Sequence, residues 1–133
     1  MSDGQGLATI KAIYASFAQG DLPAVLEKFD PGIAWIEATG FPGVGGRHVG
    51  PDAVRAVLMQ VTREWDGLSV APREYVGAGD RIVVLGETTG IYRATGKSFA
   101  SQFAHAWRLR DGKVVEWRAH IDTALAQAAT AGS

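Results

Sequence analysis

Phe103-Ala104-His105-Ala106-Trp107-Arg108-Leu109 leads through Arg110-Asp111-Gly112-Lys113 into Val114-Val115-Glu116-Trp117-Arg118-Ala119-His120-Ile121-Asp122-Thr123, and the whole reads as one antiparallel hairpin. Successive strand side chains point to opposite faces, so Phe103, His105, Trp107 and Leu109 share one face, with Ala104, Ala106, Arg108 and Arg110 on the other. A titratable imidazole therefore stands in an apolar row. Such a ring must be paired, either with a backbone carbonyl as a core histidine or with another ionisable group as part of a proton-transfer site.

Upstream, Leu7, Ile10, Ile13, Tyr14 and Phe17 recur at helical spacing and predict a first helix ended by Gly20. Asp21 caps a short second helix with Pro23 in its first turn and Val25, Leu26 and Phe29 on its buried face. Asp30-Pro31-Gly32 reads as a turn, and Ile33 to Glu37 as a short strand. The glycine-rich segment from Thr39 to Gly46 lacks phosphate-loop and dinucleotide spacing and is expected to be a mobile lid or rim. Gly50-Pro51-Asp52 opens a third helix with a stripe of Val54, Val57, Leu58, Val61 and Trp65. Strands follow at Leu68 to Val76, Arg81 to Tyr92, Lys97 to Arg110 and Val114 to Ile121, and Ala124 to Ser133 is an Ala-rich tail, helical or frayed. Helices first and a long meander second describe an α+β domain whose curved sheet is covered by helices on one face, leaving a cone with an apolar pocket.

The 133 residues make one domain, 1–133, with 124–133 as its tail. A net charge of −1 with no run of Lys or Arg argues against nucleic acid as a partner. Cysteine is absent, which removes thiolate nucleophiles and Cys-ligated metals and suits a reducing compartment. No apolar run approaches the roughly 18 residues of a membrane span, so a cytoplasmic protein is expected. The three His residues lack the close spacing of a metal site, and no metal is expected.

Tyr14, Phe17-Ala18-Gln19-Gly20-Asp21-Leu22, Trp35-Ile36-Glu37, Gly50-Pro51-Asp52-Ala53-Val54, the Phe103 to Trp107 strand, Asp111-Gly112-Lys113-Val114 and Asp122-Thr123 resemble, in order, the nuclear-transport-factor-2-like superfamily. Within it the chain is similar to SnoaL-like polyketide cyclases and ketosteroid-isomerase-related proteins from about Leu7 to Thr123. The resemblance implies a cone of three N-terminal helices packed on one face of a curved, mixed, mostly antiparallel sheet. It also implies cofactor-independent acid–base chemistry, an isomerase or cyclase taking a proton next to a carbonyl of a hydrophobic small molecule. A non-catalytic carrier of an apolar metabolite is the alternative. An epoxide hydrolase is a weaker one, because Phe103 stands where that group's arginine belongs.

By the same resemblance, Glu37 falls at the place of the isomerases' general base and His105 at that of their protonated oxyanion-hole acid, while their tyrosine falls at Ile13, beside Tyr14. Asp122 stands where relatives carry a functional acid. Strict alternation instead sets it with Arg118 and His120 on the outer face, where a salt bridge to Arg118 or Arg108 is its alternative role. Tyr14, Trp35, Met59, Trp65, Phe103, Trp107 and Trp117 are the candidate substrate-binding side chains. The outer sheet face carrying Ala104, Ala106, Val114, Glu116, Arg118 and His120 is too mixed for a second core and predicts a homodimer.

Overall fold

The computed structural model describes residues 3–132; Met1 and Ser2, from the polar N-terminal segment, and Ser133, from the tail, lie outside the described residues. Helix α1 (Asp3–Ala18) buries Ile10, Ile13 and Tyr14. It ends where Gly20 takes φ 74°, which lets Gly20 N donate to Phe17 O (3.0 Å) and Asp21 N to Ser16 O (2.9 Å). Asp21 then accepts from Ala24 N at 3.2 Å and caps α2 (Leu22–Leu26).

Strand β1 (Phe29–Glu37) begins four residues before the expected Ile33. Asp30-Pro31-Gly32 lies inside it as an irregularity, the register shifting between Phe29 and Ala34 and Gly32 N donating to Asp30 Oδ2 at 2.8 Å. The lid region yields a further strand, β2 (Gly46–Val49), antiparallel to β1. Helix α3 (Pro51–Glu64) stops one residue before Trp65, which is extended (φ −116°, ψ 128°) and opens β3 (Trp65–Ala78). Trp65 is buried by Phe41, Tyr92 and Phe99, so its apolar environment comes from strand packing rather than from the helix stripe. Strands β4 (Arg81–Tyr92), β5 (Ser98–Arg110) and β6 (Lys113–Ile121) complete the meander, and Thr123–Thr130 forms a fourth helix, α4, buried through Ala126 and Ala129.

The six strands form one sheet in the order β2-β1-β6-β5-β4-β3, with β1 and β6 parallel and the other neighbours antiparallel. The architecture is α+β, and the expected grouping of three N-terminal helices is corrected: α3 follows β1 and β2, and α4 closes the chain. Helices α1 and α3 pack on β3 and α3 also on β1, leaving the opposite sheet face bare of them. Along β5 every second residue from Phe99 to Leu109 is buried. The pairing of β6 with β5 slips between Arg108 and Leu109 of β5, so Val114, expected on the outer face, is buried like Trp117. The bulge at Val115 reverses the alternation there.

Gly86 is the tightest backbone position. It faces Phe103 across β4 and β5, and a Cβ on it would collide with the Ala71 carbonyl and come within 2.6 Å of the Phe103 ring. Only glycine leaves space for that ring, which in turn lies flat against His105 with centroids 3.9 Å apart.

Candidate active site

Two rows of side chains run across the concave face. The first is Trp35, Trp117, Trp107 and Ile82, each registered with the next across β1, β6, β5 and β4. Trp35 and Trp117 stack at 3.8 Å, and Trp107 meets both edge-on at 6.2 Å. The second row holds Ala119, His105 and Val84 in register, and one further step of the parallel β1–β6 pairing sets Glu37 beside Ala119. Glu37 and His105 are thus two strands apart, roughly 10 Å between backbones. The small Ala119 between them leaves open space where a larger side chain would close it.

That space is a cavity of about 110 Å³, lined on these strands by Trp35, Glu37, His105, Trp107 and Trp117, and from α1 by Tyr14. Phe41, from the glycine-rich loop, lines it as well. The loop is tied down: Gln127 Nε2 of α4 donates to Gly40 O (2.8 Å), His48 Nε2 lies 2.8 Å from Val44 O, and Gln60 Nε2 donates to Gly43 O at 3.4 Å. A carbonyl only accepts, so the His48 Nε2–H is the donor.

Tyr14, His105 and Trp107 form one hydrogen-bonded unit. Trp107 Nε1 donates to the Tyr14 hydroxyl oxygen at 3.0 Å, and that oxygen lies 2.6 Å from His105 Nδ1, the two rings being parallel within 1°. Burial, with a smaller push from His120, lowers the His105 pKa to about 3, so the ring is neutral. Burial also holds the Tyr14 phenol well above its usual value, against the opposing bond from Trp107. The unit then carries three polar hydrogens, on Trp107, Tyr14 and His105, and spends two on its internal bonds. One stays unspent in either tautomer, on Tyr14 oxygen or on His105 Nε2. His105 is therefore not a core histidine tied to a backbone carbonyl; its partner is a phenol from another element.

On the facing side Trp35 Nε1 donates to Glu37 Oε2 at 2.9 Å. Burial pushes the Glu37 carboxyl up to about 7, the Trp35 bond pulling in the other direction. A neutral His105 supplies no positive charge, so the carboxyl is not held down by an ion pair. Near neutral pH it exchanges between acid and base, the condition that suits a general base.

Of the other expected site residues, Trp35, Trp107, Trp117 and Tyr14 line the cavity, while Met59, Trp65 and Phe103 do not. Met59 is 39% exposed, Trp65 is buried in the cluster with Phe99, and Phe103 backs His105. Asp122 is exposed and outside the cavity: its Oδ1 accepts from Leu125 N at 3.2 Å and caps α4, and it forms none of the ion pairs found among the described residues. The pocket role of Phe41 and the Tyr14–His105 bond go beyond what the sequence predicts. Among the described residues no three His, Asp or Glu side chains converge on a metal-sized site, and no helix is long and apolar enough to cross a membrane.

A helix-covered, curved mixed sheet closing on one apolar cavity with a few polar groups defines a nuclear-transport-factor-2-like domain. Residues 10–117 match the model of the SnoaL-like domain, and the chain belongs to that family. It is similar to a nuclear-transport-factor-2-like protein of Burkholderia thailandensis, with 34% identity and a TM-score of 0.89 over 94% of this chain and 96% of that one. Another, of unknown function, from Burkholderia pseudomallei shares 32% identity and a TM-score of 0.90 over 99% and 100% of the two chains. TerC, co-crystallized with polyporic acid, shares 30% identity and a TM-score of 0.85 over 94% of this chain and 97% of TerC. Among curated proteins none matches the chain.

Proposed function

We propose that this protein is an acid–base catalyst that moves a proton next to a carbonyl in a small apolar compound, as an isomerase or cyclase. The observation that carries the proposal is the pairing of Glu37, poised near neutral pH, with a donor unit from α1 and from β5, two strands away in the same cavity. Glu37 takes the proton from the carbon beside the carbonyl, and the unspent hydrogen of the Tyr14–His105–Trp107 unit stabilises the enolate oxygen that forms. Trp35 holds the carboxyl in place through its indole N–H. Returning the proton at a different carbon gives an isomerase, and attack of the enolate carbon on a second carbonyl gives a cyclase.

Substrate size follows from the cavity. Its 110 Å³ is on the scale of a single ring, comparable with the ~150 Å³ apolar cavity that accepts benzene. Larger compounds need the Gly40–Gly46 loop to lift. The co-crystallization of the relative TerC with an organic acid supports a small-molecule role for the cone. The outer sheet face, with Val83 and Leu85 exposed at 37% and 38%, suits a second copy of the chain, and we propose a homodimer through it.

One observation favours a non-catalytic carrier: two of the three polar hydrogens of the Tyr14–His105–Trp107 unit are already spent on each other before any ligand arrives. Deuterium exchange separates the two readings. Single-ring ketones are incubated with the protein in D2O and exchange beside the carbonyl is followed by proton NMR. Catalysis predicts exchange that Glu37→Gln slows by roughly 10²-fold or more, the usual scale for loss of a general base. Saturable binding without exchange supports the carrier.

A further inference from the structure

Glu37 is the acidic side chain of the cavity lining, and no counter-charge stands beside it. None of the ion pairs among the described residues includes it, and neither Lys nor Arg lines the space around it. Its one hydrogen bond comes from the Trp35 indole to Oε2. A carboxylate so placed has its charge opposed by burial, and two things relieve it: a proton, or a cation brought in by a ligand. The acid–base proposal uses the first. The surroundings suit the second equally, because the lining is apolar and rich in rings, with Tyr14, Trp35, Trp107 and Trp117 among them. Indoles are the best π partners for cations, and the attraction grows when water is excluded.

The kind of cation is limited by the same features. A small, strongly hydrated ion such as Na⁺ would give up its water for one carboxylate, with no other charged oxygen beside it. An alkylammonium ion is weakly hydrated, fits a cavity of about 110 Å³ and gains both the carboxylate and the rings. His105, neutral beside it, adds no repulsion.

We propose that this cavity is a binding site for a small alkylammonium cation, held between the Glu37 carboxylate and the indoles of Trp35, Trp107 and Trp117. The site rests on the charge balance of the cavity and not on turnover, so it stands or falls separately from the exchange assay.

Choline chloride and its uncharged isostere 3,3-dimethyl-1-butanol, equal in shape and different in charge, are the probes. Each is titrated calorimetrically into the whole chain near pH 8, with sodium chloride at equal ionic strength as the blank. Choline should bind roughly tenfold more tightly than the alcohol or better, and its methyl proton resonance should move upfield through contact with the indoles. Glu37→Gln, which still accepts the Trp35 bond, should abolish the preference for choline. Lowering the pH to about 5 should do the same in the unaltered chain by protonating Glu37. Of the titratable groups on the surrounding elements, Tyr14 of α1 and His105 of β5 line the cavity with it, while His48 of β2 is registered with Trp35 and Glu64 of α3 lies by Gly43, both outside the lining. The lining residues of α2, β3, β4 and β6 are not ionisable. Equal affinity for the two probes would overturn the proposal. So would a choline preference that survives both Glu37→Gln and pH 5, or no saturable choline binding at concentrations on the order of tens of millimolar.

Discussion

Replacing Glu37 by Gln should make the protein more stable, and only above a defined pH. In the folded chain the carboxyl holds its proton up to about 7, whereas its ordinary value is 4.5. Between those values the folded state binds a proton that the unfolded chain has released, so Glu37 costs stability progressively as pH rises through the window and fully above it. At about 1.36 kcal/mol per tenfold change in proton affinity, the cost at full ionisation is about 3 kcal/mol, trimmed to about 2 kcal/mol because the side chain is only half-buried. His105 works in the opposite sense. Its pKa falls from 6.5 to about 3, so the unfolded chain gains a proton that the folded state refuses, and stability is lost as pH drops through 6.5. Between about 4.5 and 6.5 the two slopes nearly cancel in the unaltered protein. Glu37→Gln unmasks the His105 slope: its stability should climb with pH through that range while the unaltered protein stays flat. Thermal unfolding followed by circular dichroism should show no difference between the two near pH 4 and a gain for Glu37→Gln of about 6 to 10 °C near pH 8.5, at ~3–5 °C per kcal/mol for a chain of this length. Curves that run parallel across the whole range would refute the reasoning.

Tyr14→Phe removes one hydrogen and one acceptor from the donor unit and strands the buried Trp107 N–H, so it should cost about 1 to 3 kcal/mol in chemical denaturation. It should also slow any exchange activity by more than it weakens ligand binding. His105→Ala should weaken both activity and binding, read by exchange rate and calorimetry side by side. Gly86→Ala, which drives a methyl into the Ala71 carbonyl and the Phe103 ring, should cost at least the 1–3 kcal/mol typical of overpacking, measured by urea unfolding. Light scattering at micromolar concentration should give the mass of two chains, and a monomer would remove the role proposed for the outer sheet face.

Much of the fold can be read from alternation alone. The β5 row from Phe103 to Leu109 and the inward set Trp117, Ala119 and Ile121 follow from a period of two, because one face of each strand is buried. Trp65 misleads because its spacing continues the α3 stripe, and only the packing of Phe41 and Phe99 shows it to be strand. Val114 misleads because a bulge leaves no mark in a run of Val-Val. Strand β2 is short and polar and hides behind glycine. Asp122 before a run of small helix formers carries the signature of an N-cap, which marks its structural role in the sequence. The site is only half legible. Strand parity puts Glu37 beside Trp35 and His105 beside Trp107, yet the Tyr14–His105 bond spans 91 residues and depends on how α1 docks against the sheet.

The central claim is that Glu37 is a carboxyl without a counter-charge inside a ligand cavity, and its titration tests that most directly. Carbon-13 NMR of the glutamate side-chain carboxyls, with Glu37 assigned by its absence in Glu37→Gln, should show the Glu37 signal with a midpoint near 7, well above the ordinary 4.5. A Glu37 midpoint in that ordinary range would contradict the general-base role and the cation site together.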